Sequence, residues 1–188
     1  MIAKLLPGTD PIKKVTIVPH GRALGVTEQV PEKDRHNLSR TYLVNRMAVM
    51  MGGRAAEQLV YDDITSGAGD DLKKATQMAR RMVCNWGMSG ALGPVAYSNG
   101  DPHPFLGREL AEGRDHSEET ARMIDEEIRN LLREAEQTAK NCLSQNSDAL
   151  KELTHMLITT ETLSDKDIDD AIQADVPSKA KCCAAASN

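Results

Sequence analysis

Apolar residues recur at helical spacing through most of the chain. From residue 38 the pattern predicts a helix: Leu43, Met47 and Met50 share one face, and Ser39 stands where an N-cap belongs. Gly52 and Gly53 interrupt it, and residues 54–60 resume as a second helical piece. After a turn at Thr65-Ser66-Gly67-Ala68-Gly69, Asp70 or Asp71 opens a strongly amphipathic helix. Leu72, Ala75, Ala79, Met82, Val83 and Trp86 form its apolar face, and Gly87 closes it. Residues 90–107 read as loop, with prolines at 94, 102 and 104. Ser117 caps the longest predicted helix, whose face is Thr120, Ile124, Ile128, Leu131, Ala135, Ala139 and Cys142. Glu118 and Glu119 suit the positive end of its dipole. A further helix after Ser147 carries Leu150, Leu153 and Leu157. A short one follows Ser164, with Asp167 three residues on as a capping box.

Only the N-terminal stretch reads as strand. Residues 15–19 and 23–30 read as two short strands linked by His20-Gly21-Arg22, with Val15, Thr16, Ile17 and Val18 all β-branched. Before them, Met1, Ile2, Leu5 and Leu6 read as the last turns of a helix, stopped by Pro7-Gly8. The start of that helix is expected before Met1.

Composition narrows the fold. Of 188 residues 40% are apolar, but only Tyr42, Tyr61, Trp86, Tyr97 and Phe105 are aromatic. Met, Ala, Leu and Ile must therefore fill the core, which favours packed helices. The expected fold is mainly α, with a small N-terminal β-hairpin and a C-terminal helical bundle, in one domain over residues 1–174. Leu72, Met78, Met82, Trp86, Ile124, Ile128, Leu131, Leu153 and Leu157 are its expected core. Residues 175–188, rich in Ala, Lys, Ser and Cys, are expected to form a disordered tail.

Charge and cysteines exclude some functions. The net charge is −5 and no basic stripe with interleaved aromatics occurs, which argues against nucleic-acid binding. Cys84 and Cys142 lie in helical patterns, and Cys182-Cys183 in the tail; no C-x-x-C pair is present. A reducing compartment is the simpler reading. No apolar run approaches the roughly 18–20 residues of a membrane span, so this chain by itself is expected to be soluble.

A hydrolytic zinc site needs three protein ligands and an open position for water. Its common helical form, H-E-x-x-H, is missing from this sequence, and His20, His36, His103, His116 and His155 do not pair at helical spacing. Neither G-x-S-x-G nor a nucleotide-binding G-x-x-x-x-G-K-[ST] occurs. The residues present do not assemble a complete active site.

A series of blocks gives more. Ala3-Lys4-Leu5-Leu6-Pro7-Gly8-Thr9-Asp10-Pro11 comes first, then residues 18–27, then Gly52-Gly53-Arg54-Ala55-Ala56-Glu57. Thr65-Ser66-Gly67-Ala68 with Asp71-Leu72 and Ala75-Thr76 follows, then Gly87-Met88-Ser89 with Leu92-Gly93-Pro94. Phe105-Leu106-Gly107-Arg108 and Ser117-Glu118-Glu119-Thr120-Ala121 complete the order. Together, over about residues 3–172, these resemble the peptidase domain of FtsH-type zinc metalloproteases, the membrane-anchored AAA+ proteases.

The resemblance implies an ATP-dependent zinc metalloendopeptidase acting on unfolded or membrane proteins, assembled as a hexamer. It implies that Asp71 is the third zinc ligand, where the bland reading is an acidic residue favouring the helix dipole. Asp70 stands beside it where Asn is frequent. Glu57 is expected close to the site, orienting a ligand histidine, with a solvated helix glutamate as the alternative. Ala23, Leu24, Gly25, Val26 and Thr27 resemble the exposed strand that takes substrate by backbone pairing. The catalytic glutamate and two zinc histidines would lie before Met1, with the ATPase module and membrane helices before them. The full-length protein would then be membrane-anchored, its peptidase domain on the cytoplasmic, matrix or stromal side. By itself this chain is expected to lack activity. The rival reading is a non-catalytic assembly module or an inactive remnant.

Overall fold

A computed structural model describes residues 1–19, 25–30, 37–97 and 116–174. Its elements run α1 (Ile2–Leu5), β1 (Ile12–Thr16), β2 (Val26–Gln29), α2 (Arg40–Met50), α3 (Gly52–Tyr61), a 3-10 turn (Ser66–Ala68), α4 (Gly69–Cys84), α5 (Glu118–Gln145), α6 (Ser147–Thr160), β3 (Thr162–Ser164) and α7 (Asp165–Ala174). The protein is mainly α-helical, as the periodicity predicts.

The helix starts obey local chemistry. Ser39 Oγ accepts the Tyr42 N–H at 3.2 Å, and Ser117 Oγ accepts that of Thr120 at the same distance. Each satisfies one of the donors a helix N-terminus leaves unpaired. At α7 the capping box closes: Ser164 donates its N–H and its hydroxyl to Asp167, at 2.8 and 2.6 Å. The two glycines after α2 sit in the first turn of α3, so they mark a corner between two helices that share Met51. Gly52 also keeps space there, since a Cβ would come within 2.9 Å of Ile2 Cδ1.

The main core lies where α1, α2, α3 and α4 pack against the long α5. Leu43, Met47, Met82, Val83 and Cys142 are among its fully enclosed side chains, and Ala75, Ala79, Ala135 and Ala139 let the backbones approach. Cys84 and Cys142 are buried thiols, not joined in a disulfide.

A second core gathers Ala3, Ile12, Leu153, Leu163, Ile168, Ala171 and Ile172. It explains the one strand the periodicity missed. β3 pairs antiparallel with β1, Val15 against Leu163, so the hairpin becomes a sheet in the order β2-β1-β3. Leu163 seals the second core at 2% exposure. A three-residue segment carries too little pattern to be read as strand; its partner across the sheet makes it one.

Three expectations need correction. Leu72 and Trp86 are 40% and 43% exposed rather than core. The stripe on α4 is buried from Ala75 to Cys84, and these two residues lie beyond each end of it. The first strand also begins earlier than expected, at Ile12, and its pattern of exposure leaves Ile17 and Val18 outside it, both exposed. Pairing with β2 and β3 sets those bounds, and β-branching alone does not. Met78 and Leu157 are partly buried against the two cores, and the other expected core residues are buried. The link at 20–22, part of the loop at 90–107 and the tail from 175 lie outside the described residues.

Candidate functional site

The residues singled out from sequence fall on two parts of the molecule. Glu57 and Asp71 flank the turn between α3 and α4; Val26 and Thr27 belong to the sheet, and Gly25 directly precedes its strand. Ala23 and Leu24 lie outside the described residues.

Asp71 sits in the first turn of α4, two residues after the start at Gly69. Asp70 beside it is also in that turn, and both favour the positive end of the helix dipole. Their cationic neighbours are loose. Lys73 Nζ stands 3.6 Å from Asp70, and Lys74 Nζ stands 3.9 Å from Asp71. Such exposed pairs bind weakly, so the Asp71 carboxylate stays available. The side chain of Asp70 is 86% exposed and that of Asp71 54%, which makes Asp71 the more sheltered of the two.

Glu57 is half-buried on α3, and both its oxygens are engaged. Oε2 accepts the Thr65 N–H at 3.0 Å and Oε1 accepts the Thr65 hydroxyl at 2.9 Å. Thr65 Oγ1 then accepts the Gly67 N–H at 3.2 Å. The carboxylate therefore grips the turn that leads into α4. Sequence reading missed Thr65, taking the segment for a flexible turn; the signal was Thr after a loop and before Ser-Gly-Ala, a pattern that forms hydroxyl-closed turns.

Carboxylate oxygen is a donor that zinc accepts, and the exposed Asp71 could serve as one ligand. Among the described residues no group of three His, Cys, Asp or Glu is placed to hold a metal. Of the histidines, His116 packs edge-on against Tyr97, ring centroids 5.6 Å apart, and His155 is exposed on α6. His20, His36 and His103 lie outside the described residues.

β2 is an edge of the sheet. One side of Val26–Gln29 pairs with β1, Thr27 opposite Val15 and Val26 opposite Thr16. Among the described residues the other side has no strand beside it. Gly25 is required by the close approach of the two strands, because a Cβ there would stand 2.8 Å from the Thr16 carbonyl oxygen. Val26 is 38% exposed on this edge. No helix among the described residues is long and apolar enough to cross a membrane.

Sequence reading also missed an ion pair that joins the two ends of the described chain. Lys4 Nζ lies 2.5 Å from Asp165 and 2.9 Å from Asp169, so α1 is tied to α7. Nothing local in either segment announces it.

Comparison with known proteins places this arrangement. The model of peptidase family M41 matches residues 1–171. The chain is 54% identical over 164 residues to the ATP-dependent zinc metalloprotease FtsH of Nitrosococcus oceani, covering 87% of this chain and 26% of that protein. It is 50% identical over 172 residues to the protein of that name from Pelobacter propionicus, covering 92% and 28%. It is also 50% identical over 184 residues to ATP-dependent zinc metalloprotease FtsH 4 of Sphaerobacter thermophilus, covering 97% and 28%. The chain thus spans about a quarter of the length of these curated relatives. With the family model matched over nearly all of the described residues, the chain belongs to peptidase family M41.

Proposed function

We propose that this chain is the larger part of a zinc metalloendopeptidase domain and supplies Asp71 as one of three metal ligands. The observation that carries the proposal is the available carboxylate at the first turn of α4 in a chain of family M41. The other two ligands and the general base would come from an H-E-x-G-H segment outside these 188 residues. Zinc, when bound, polarises the scissile carbonyl and activates a water. The chain's own contribution is to fix one ligand at a helix start and to offer the β2 edge, at Gly25, Val26 and Thr27, to an extended polypeptide. Backbone pairing there needs little side-chain specificity, which suits unfolded substrates of many sequences. ATP would act through a separate ATPase module of the full-length protein, and membrane attachment through helices of that protein. We place the working form in a ring of six copies, in line with the family resemblance.

A zinc site with one protein ligand is weak. The 188-residue chain by itself is therefore expected to hold less than one zinc per molecule and to leave casein uncut. Placing an H-E-x-G-H segment ahead of Met1 should bring stoichiometric zinc and chelator-sensitive cleavage. Metal analysis and a casein assay on the two proteins test this. Stoichiometric zinc and chelator-sensitive cleavage in the shorter chain would put the active site elsewhere.

One observation favours the rival role as an assembly module. Val60 and Tyr61, at the end of α3, are 57% and 76% exposed, with Leu59 and Ile64 also exposed beside them. An apolar corner of this kind promotes association. Sedimentation of the chain against a Val60→Lys, Tyr61→Lys variant tests this surface, and zinc analysis of the chain joined to an H-E-x-G-H segment separates the roles: a pure assembly module forms its oligomer and binds no stoichiometric zinc.

A further inference from the structure

The corner that carries Asp71 has almost nothing to hold it by packing. From Tyr61 to Lys74 no residue is buried; the first enclosed side chain of α4 is Ala75. The apolar core therefore fixes α4 from its second turn onward and leaves its first turn to other forces. A metal ligand needs placement to within about 0.5 Å, supplied by contacts that lock its support.

The structure offers one such lock. Glu57 holds Thr65 at two points, through the backbone N–H and the hydroxyl, and Thr65 holds Gly67. The Gly69 N–H bonds back to the Ser66 carbonyl, and α4 starts there. The hydrogen bonds thus run unbroken from α3 to the helix turn that bears Asp71. Gly67 belongs to the same corner: a Cβ added there would lie 3.3 Å from Thr65 Oγ1 and 3.8 Å from Glu57 Oε1. A two-point grip by a charged acceptor fixes orientation as well as distance.

We propose that Glu57, acting through Thr65, is a positioning residue for Asp71. It sets where the first turn of α4 sits, and so the geometry at which the Asp71 carboxylate meets the metal. This rests on the reading of Asp71 as a zinc ligand, and it gives Glu57 a role that needs no contact with a histidine.

The test uses the zinc-competent protein, this chain together with its H-E-x-G-H segment, and reads zinc affinity by chelator competition. Variants are Asp71→Asn, Glu57→Gln, Thr65→Val, Thr65→Ser and the pair Glu57→Gln with Thr65→Val. Glutamine keeps one acceptor and turns an amide N–H₂ toward the other donor, so the grip fails at one point. Glu57→Gln and Thr65→Val should each weaken zinc binding about 10- to 100-fold, the range found for residues that orient ligands. Thr65→Ser keeps the hydroxyl and should bind zinc like the parent. The double variant should bind no more weakly than the worse single one, because both break the same link. In the metal-free protein, amide exchange at Gly67 should speed up in Glu57→Gln and Thr65→Val and stay unchanged in Thr65→Ser.

If Asp71→Asn weakens zinc binding and Glu57→Gln and Thr65→Val do not, the positioning role is wrong and the ligand reading stands. If Glu57→Gln weakens binding and Thr65→Val does not, Glu57 acts on the site directly and the route through Thr65 is wrong. Unaltered zinc binding in Asp71→Asn removes the ligand reading itself. Should Glu57→Gln fail to fold, the contrast between Thr65→Val and Thr65→Ser decides the matter alone.

Discussion

Gly87 has φ +57, a conformation that L side chains rarely adopt, and a Cβ there would stand 3.1 Å from Pro94 Cα. Both effects oppose any larger residue. Gly87→Ala should destabilise the protein by about 1–3 kcal/mol, read as a lower urea midpoint with an unchanged slope. The sequence showed that a helix had to end near this glycine; the approach of Pro94 was not legible in it. Asp167 gives a second prediction at this scale. The Ser164 hydroxyl and then the Ser164 N–H donate to its carboxylate and hold its pKa below the usual value. The folded state therefore binds that proton less readily than the unfolded chain. The contribution is present above the ordinary carboxylate range and is lost as pH falls through the lowered value. Acid should fray α7 first, seen as faster amide exchange there, and Asp167→Asn should flatten this part of the pH dependence.

At the scale of elements, α5 is the spine of the main core: α2, α3 and α4 all pack on it. Its buried face runs from Ile124, Ile128 and Leu131 to the small residues Ala135 and Ala139, which are fully buried. The side chains that make this helix amphipathic were plain in the sequence, but the need for alanine at these positions comes from neighbours brought close. Ala139→Leu should cost about 1–3 kcal/mol by overpacking, measured by chemical denaturation. The edge strand offers a test of the substrate role. Successive residues of a strand point their N–H groups to opposite sides, so of Thr27→Pro and Glu28→Pro one removes a bond to β1 and the other an outward donor. The outward variant should keep the fold, by circular dichroism, and lose affinity for an extended unfolded peptide. Unchanged peptide binding in a folded outward variant would remove edge pairing from the mechanism.

Across the whole molecule, the two cores meet at α1. Ile2 and Leu6 enter the main core, Ala3 enters the second, and Lys4 reaches Asp165 and Asp169 on α7. A four-residue helix therefore joins the long-helix core to the unit of α6, β3 and α7. The Lys4 side chain is only 17% exposed, but its partners are partly solvated, so the link is worth about 1 kcal/mol. Lys4→Met should lower stability by that amount and speed amide exchange in α7 while sparing α5. Equal acceleration in both helices would mean that the two cores open as one unit.

The sequence by itself determined the mainly helical class, the caps at Ser39, Ser117 and Ser164, the breaks near Gly52 and Gly87, and the family resemblance. These depend on neighbours within a few residues or on blocks kept in order. Tertiary structure alone decided what depends on residues far apart. Leu72 and Trp86 carry the right spacing for a core, but burial requires a partner surface, and among the described residues none covers the two ends of that stripe. β3 is strand only because β1 lies beside it. Glu57 grips Thr65 because α3 and the turn before α4 come together. Lys4 reaches Asp165 and Asp169 because folding brings α1 to α7. Local preference is written along the chain; a contact between distant residues exists only after folding has supplied both halves.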